Sequence, residues 1–296
     1  EEALLTQPDY ATAELLPMAS HAAVIAATER GDADMGFLGF ENSIEGSVRS
    51  VLDHLIFESD LLIRREVVLP ITQNLLAPPG TGLADITTVV SFPDAMEQCR
   101  EFFARELPAA EMVAANSTAE AVQMVGADRP VGTAALGTAL AAKLYGLEVL
   151  AAGVEDRADN TTRFVAVGRQ GPGAIPAPTG HDKTSIVLFQ HADRPGNLHL
   201  ISAQFAAREI NLTKFESRPT KKILGDYCFI IDFEGHVMDE VVADCLRNLR
   251  ADIGQIKFLG SYPAAGEHSD AIRRDAEMAW QEAQRWIDGL RGQVGR

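Results

Sequence analysis

The stretch ADMGFLGFENSIEGSV, Ala33–Val48, reads as a buried strand running straight into a cluster of polar groups. In open α/β sheets, ligand-binding groups gather at the carboxyl ends of strands. That makes Glu41, Asn42, Ser43, Glu45, Gly46 and Ser47 site candidates. A solvated turn, with Asn42 or Ser43 capping the next helix, accounts for the same residues.

Outward from this stretch, helical and strand signals alternate, which predicts an α/β fold. Ala22–Arg30 reads as a helix stopped by Gly31. Val67–Leu76, Ile86–Ser91, Leu147–Gly153 and Thr161–Arg169 read as strands. Asp94–Glu106 reads as a helix with Met96, Cys99, Phe102 and Phe103 on its apolar side, and Thr118–Val125 as another, capped by Thr118. Thr133–Tyr145 reads as a long Ala-rich helix closed by Gly146. The segment Gly168–Asp182, with three prolines and four glycines, reads as a linker. Beyond it come the strand KTSIVLFQ, a helix within RPGNLHLISAQFAAREI, the alternating strand NLTKFESRPT, the strand YCFIIDFEGH, a helix over Met238–Arg250, and a closing strand in IGQIKFLGSY. That order, β-α-β-β-α-β, is the ferredoxin-like split pattern. A polar tail begins near Gly260, and Ala271–Leu290 reads as a terminal helix carrying Trp280, Trp286 and Ile287.

The 296 residues are 46% hydrophobic and carry 26 basic against 42 acidic side chains, a net charge of -16. Residues 1–170 hold most of it, with 25 acids against 11 bases. Such a chain is poorly suited to nucleic acid or to an anionic membrane surface, and no apolar run approaches the roughly 20 residues needed to span a bilayer. Cys99, Cys228 and Cys245 form no close pair, which fits a reducing compartment and a cytoplasmic location. The seven histidines (21, 54, 181, 191, 199, 236 and 268) show no metal-ligand spacing, so no metal is expected. No G-x-G-x-x-G, Walker A, HExxH or G-x-S-x-G motif occurs. Two further polar strings remain. In EDRADNTTRFVAV, Thr161, Thr162 and Arg163 stand at the mouth of an apolar strand, and a guanidinium beside hydroxyls suits a carboxylate; a strand edge with a surface Arg fits equally well. In RPVGTAALG, Gly132–Thr133 at a helix start would offer free amides to an anion.

Taken together, ENSIEGSV (41–48), SFPDAMEQC (91–99), STAEAVQMV (117–125), GLEVLAAGVEDRADNTTRF (146–164), GNLHLISAQFAAREINLTKFESRP (196–219) and YCFIIDFEGH (227–236) make the chain similar to the prephenate dehydratase family with a C-terminal ACT regulatory domain. The resemblance covers nearly all of residues 3–262. It implies a two-lobed catalytic domain like the type 2 periplasmic binding proteins over 1–170, with lobes of about 1–70 plus 151–170 and of 71–150. A linker over 171–182, a ferredoxin-like ACT domain over 183–262 and a tail over 263–296 would follow. Members usually open with a strand and a GPxGTFT-like loop, which the sequence EEALL starts beyond; those parts are expected to be missing from these residues rather than from the molecule. Relatives often carry His at Phe92 and Gln at Asp94.

The resemblance also implies the chemistry: prephenate to phenylpyruvate, with release of water and carbon dioxide, and no cofactor. Thr162 matches the catalytic threonine of the TRF motif. Substrate-site roles fall to Asn42, Ser43, Glu45, Ser91, Thr133, Thr161, Arg163 and Phe164. Phenylalanine, the end product, would bind at Gly196, Asn197 and Leu198, facing Asn211 and Leu212 across a subunit interface, with Glu216, Ser217 and Arg218 shaping the pocket. Relatives assemble as homodimers or homotetramers, dimers of dimers. An arogenate dehydratase and a non-catalytic amino-acid sensor are the alternatives; NTTRF argues against the sensor. The acidic half would have to bind a dianion, so affinity is expected from a local pocket of Arg and helix amides.

Overall fold

The computed structural model describes the whole chain except residues 1, 11, 158, 191–193, 222–225, 266–270 and 294–296, and the side chains of 271–277 and 279. His191, His268 and residues 222–224 of the KKIL segment lie outside the described residues, while the polar tail expected from near Gly260 does not start there, because the last strand continues to Pro263. Strands run, in chain order, over Gly36–Asn42 (β1), Gly46–Ser47 (β2), Leu62–Pro70 (β3), Asn74–Ala77 (β4), Thr88–Ser91 (β5), Glu111–Ala114 (β6), Thr133–Gly137 (β7), Glu148–Ala151 (β8), Thr161–Gly168 (β9), Asp182–Gln190 (β10), Leu212–Pro219 (β11), Tyr227–Glu234 (β12) and Gly254–Pro263 (β13). They form three sheets, ordered β2-β1-β9-β3, β6-β5-β7-β4-β8 and β11-β12-β10-β13. Two compact units result: one of Glu1–Ala11, Asn42–Gly46 and Leu69–Thr162, the other of Thr12–Glu41, Ser47–Val68 and Arg163–Arg296. The chain passes between them inside β9, at the Thr162–Arg163 peptide.

The first unit is built on the five-stranded sheet. β5 lies between β6 and β7, parallel to both, while β4 runs antiparallel to β7 and β8. Leu75, Val89, Ala134 and Leu136 pack with Cys99 and Phe103 on one side; Leu76, Val90 and Ala135 pack with Ala121, Val122 and Val125 on the other. This corrects the long Ala-rich helix expected over Thr133–Tyr145. Its first five residues are β7, all buried, and only Ala139–Tyr145 is helical. Alanine's helix propensity is a weak preference that burial overrides. The small side chains let the crossing helix Thr118–Asp128 come close, and a Cβ on Gly137 would sit 2.5 Å from Val122. The cap of that crossing helix is Ser117, not Thr118: its hydroxyl accepts from the Glu120 amide at 3.0 Å. The helix expected over Asp94–Glu106 is two, Pro93–Glu97 and Arg100–Glu106, and the strand expected over Val67–Leu76 is divided between β3 and β4.

In the second unit, the β-α-β-β-α-β order is present, with helices Asn197–Ala206 and Glu240–Asn248. β10 pairs antiparallel with β12 and β13, and β11 with β12. The sheet is covered twice. Ile186, Leu188, Phe229, Ile231 and Phe233 pack with Ile201, Phe205, Val241 and Cys245 of its helices. Val187, Cys228, Ile230 and Tyr262 join a cluster with Leu38, Phe40, Val165, Val167 and the helix residues Val51, Leu52 and Leu55. Double cover explains why YCFIIDFE reads as a continuous apolar run. Among the described residues no helix is long and apolar enough to cross a membrane.

Candidate active site

Within the first unit, Asn42 is the hub of a closed ring of polar side chains. Its Nδ2 donates to Asn160 Oδ1 at 2.7 Å. Asn160 Nδ2 donates to Gln98 Oε1 at 3.0 Å, and Gln98 Nε2 donates to Glu45 Oε1. The Glu45 amide returns to Asn42 Oδ1 at 3.1 Å, beside that of Ile44 at 2.9 Å. Asn160 is 1% exposed, so an unmet amide there would be costly, and the ring meets it. Thr162 hangs on this ring: Asn42 Nδ2 also donates to Thr162 Oγ1 at 2.9 Å. With a lone pair taken by that amide, the threonine hydroxyl has its proton available, and no described residue accepts it. A hydroxyl whose oxygen is held this way keeps its O–H free to donate to a bound molecule.

Three members of the ring or its attachment, Asn42, Glu45 and Thr162, were legible in sequence. Gln98 and Asn160 were not singled out. Asn160 lies in the polar run between Asp156 and Thr162 and Gln98 beside Glu97, so nothing local in the sequence marked either amide as part of a network. Ser43 is present but turned to the backbone: its Oγ accepts from the Thr161 amide at 2.9 Å and its own amide donates to the Thr161 carbonyl at 2.9 Å. It stitches the 42–46 turn to the strand that carries Thr162.

A cavity of about 280 Å³ borders Glu45 and Gln98, lined also by Ile44, Asp94, Glu97, Glu155, Asp156 and Arg157. Five carboxylates against one guanidinium do not make the Arg-and-amide pocket expected for a dianion. Burial and the neighbouring Asp94 carboxylate raise the Glu45 carboxyl above its usual range. Ser91, at the carboxyl end of β5, is fully buried, and its Oγ has no hydrogen-bond partner among the described residues. Thr133 is not beside it. Thr88 pairs with Thr133 and Val90 with Ala135, so Thr133 sits at the opposite end of β7, and the helix start expected there is a strand. The residue at the Ser91 end is Thr138, whose Oγ1 caps the helix Ala139–Tyr145.

The second unit corrects Arg163. Its guanidinium is not free to clamp a substrate carboxylate. Nε donates to Glu66 Oε2 at 2.6 Å, Nη1 to Asp232 Oδ2 at 2.6 Å and Nη2 to Tyr262 Oη at 2.8 Å, with the carbon 4.8 Å above the Phe40 ring. Burial opposes its charge, but Tyr262, Asp232 and Glu66 more than compensate and hold it charged. Phe164 stacks on Phe37 at 5.4 Å between ring centroids. The residues expected to bind phenylalanine divide. Gly196, in the left-handed region at φ 88°, starts the helix Asn197–Ala206, and Leu198 is exposed. Asn211 Nδ2 donates to Glu234 at 2.9 Å. In β11 the half-buried face carries Leu212, Lys214, Glu216 and Arg218, and Ser217 lies on the other. Glu216 accepts from Ser47 at 2.5 Å, and Arg218 pairs with Asp53 at 2.9 Å. Glu216 and Arg218 are therefore engaged away from Ser217, and the three do not shape one pocket.

Residues 1–172 match the prephenate dehydratase family (PDT), and the chain belongs to that family, a class of carbon–oxygen lyases. A prephenate dehydratase of Mycolicibacterium vanbaalenii is 44% identical over 289 residues, covering 97% of this chain and 89% of the relative. The crystal structure of prephenate dehydratase from Arthrobacter aurescens in complex with L-Phe shares 38% identity and a TM-score of 0.86, over 98% of this chain and 94% of that one. GqqA, described as a novel type of quorum quenching acylase, is 32% identical with a TM-score of 0.74, over 84% and 89%.

Proposed function

We propose that this chain removes water and carbon dioxide from prephenate to give phenylpyruvate, with Thr162 donating its hydroxyl hydrogen bond to the departing oxygen. The ring carboxylate leaves as carbon dioxide, its bonding pair enters the ring, and the opposite C–O bond breaks. The expelled hydroxyl takes up one proton, supplied ultimately by solvent, and leaves as water. Aromatisation drives the reaction, and the protein's task is to position the substrate and stabilise the leaving oxygen. A threonine hydroxyl does not titrate near neutrality, so Thr162 acts as an oriented donor rather than as a conventional acid. The observation that carries this reading is the Asn42 amide on Thr162 Oγ1, which leaves the O–H free. Ser91, with its unpartnered hydroxyl, is a second substrate contact; Ser43 and Thr161 position the strand.

The test is prephenate turnover by the purified chain. Thr162→Ala should lower kcat by about 10²–10⁴-fold, while Thr162→Ser, which keeps the hydroxyl, retains most of it. Turnover by Thr162→Ala near that of the unaltered chain would remove Thr162 from the chemistry. Arogenate, with an amine where prephenate has a ketone, belongs in the same assay, since preference for it would make the chain an arogenate dehydratase.

The proposed organisation is a two-lobed catalytic domain over 1–170, like the type 2 periplasmic binding proteins, a linker over 171–182, an ACT domain over 183–262 and a tail. The Arthrobacter relative, with L-Phe bound, supports phenylalanine as feedback effector. Gly196, Asn197, Leu198, Asn211 and Leu212 are the positions we carry forward for it, in a homodimer or homotetramer. Inhibition of turnover by added L-phenylalanine is the expected result.

A further inference from the structure

Arg163 follows Thr162 in the chain, yet its guanidinium is engaged by Glu66, Asp232 and Tyr262. Its side chain is 11% exposed and closes a network reaching through the second unit. Glu66, 4% exposed, also accepts from Lys183 Nζ at 2.9 Å and from the Ala265 amide at 2.8 Å. Tyr262 is fully buried, with its hydroxyl 2.5 Å from Ser185 Oγ and 2.8 Å from Arg163. Asp232 is fully buried in β12, among the buried Ile230, Ile231 and Phe233. Thus Arg163 belongs to the first sheet of this unit, through β9, while Asp232, Tyr262 and Lys183 belong to the second, through β12, β13 and β10.

Stability alone gives little reason for such a cage. Burying a charged cluster costs desolvation that its attractions barely repay, and apolar replacements of similar volume often serve as well. What a forked, planar, fully engaged guanidinium supplies is geometric restraint. One trans peptide separates the Cα atoms of residues 162 and 163, about 3.8 Å. A shift of the Arg163 backbone therefore reaches Thr162 directly, and reacting groups tolerate misplacements of only about 0.5 Å.

We propose that Arg163 is a positioning residue: gripped by Asp232 and Tyr262 of the second sheet and by Glu66, it sets the strand backbone that presents the Thr162 hydroxyl. This makes the second sheet part of the catalytic apparatus without touching substrate. The inference rests on the reading of Thr162 given above.

The experiment compares the unaltered full chain with Tyr262→Phe and Asp232→Asn, measuring kcat and KM for prephenate and the melting temperature. Tyr262→Phe removes one hydroxyl and keeps the ring; Asp232→Asn keeps the shape and removes the charge. Each soluble variant should lose about tenfold or more in kcat with KM within about twofold, because the donor is displaced while binding groups stay. Unchanged kcat in a soluble variant, whatever its melting temperature, overturns the proposal and leaves the role of Thr162 standing. Absence of turnover by the unaltered chain removes both.

Discussion

At Thr162 the decisive property is directional. Asn42 could have accepted the threonine proton through its carbonyl oxygen; instead its Oδ1 is occupied by two backbone amides, Ile44 and Glu45, which forces the NH2 end toward Thr162. The motif ENSIEG thus orients an amide before it orients a substrate. Glu45 closes that ring with a raised pKa. A carboxyl that holds its proton more tightly folded than unfolded favours the fold most below its ordinary range, and that contribution fades as pH rises through the raised value. Glu45→Gln should therefore change the melting temperature little near pH 4 and gain on the wild type toward pH 7, by a modest margin because Glu45 is solvent-exposed. Thermal melts across that range decide it, and parallel curves would count against the shift. Asn42 and Glu45 were readable in the sequence because polar residues cluster there after an apolar strand, and Thr162 through the TRF resemblance. Arg163 was readable as important, but its partners, residues 66, 232 and 262, are far away in sequence and only the fold names them.

Elements were legible where their periodicity was unambiguous. β11 alternates as NLTKFESRPT promised, and Gly31 ends its helix in the left-handed region at φ 85°. β7 was not legible, since five small buried residues carry no period and alanine suggests helix. The bend in β13 was equally hidden. There the pairing with β10 skips a residue between Ser185 and Ile186, and Gly260 sits at φ 148°. A Cβ at Gly260 would lie 2.2 Å from the Ile63 carbonyl oxygen of β3, and rigid backbone cannot yield as a side-chain tip does. Gly260→Ala should destabilise by about 3 kcal/mol or more, beyond the usual range for a point substitution. Urea unfolding would measure it; a loss below about 1 kcal/mol would mean that β3 moves aside easily.

For the whole molecule, the consequential feature is the apolar cluster shared by the two sheets of the second unit. The family match ends at residue 172, but the cover of Leu38, Phe40, Val165 and Val167 comes from Val187, Ile230, Leu259 and Tyr262. Each such side chain contributes about 1.5–3 kcal/mol when buried, so losing four removes an amount comparable with the roughly 5–15 kcal/mol that holds a domain folded. A chain cut after residue 172 should be insoluble or aggregated by size-exclusion chromatography, and a monodisperse, folded product would contradict this. The prolines and glycines between β9 and β10 were conspicuous in the sequence; that the segments on either side share a core was not, because no local pattern records which face a strand buries. The same shared core also has a history in time. During synthesis, Leu38 and Phe40 are made long before Tyr262, and even Val165 is finished 97 residues before it, which at ribosomal rates is an interval of roughly 5–20 s. For that interval the nascent chain carries an uncovered apolar face and an arginine without its aspartate, and it must be kept from other chains until its own last strand arrives.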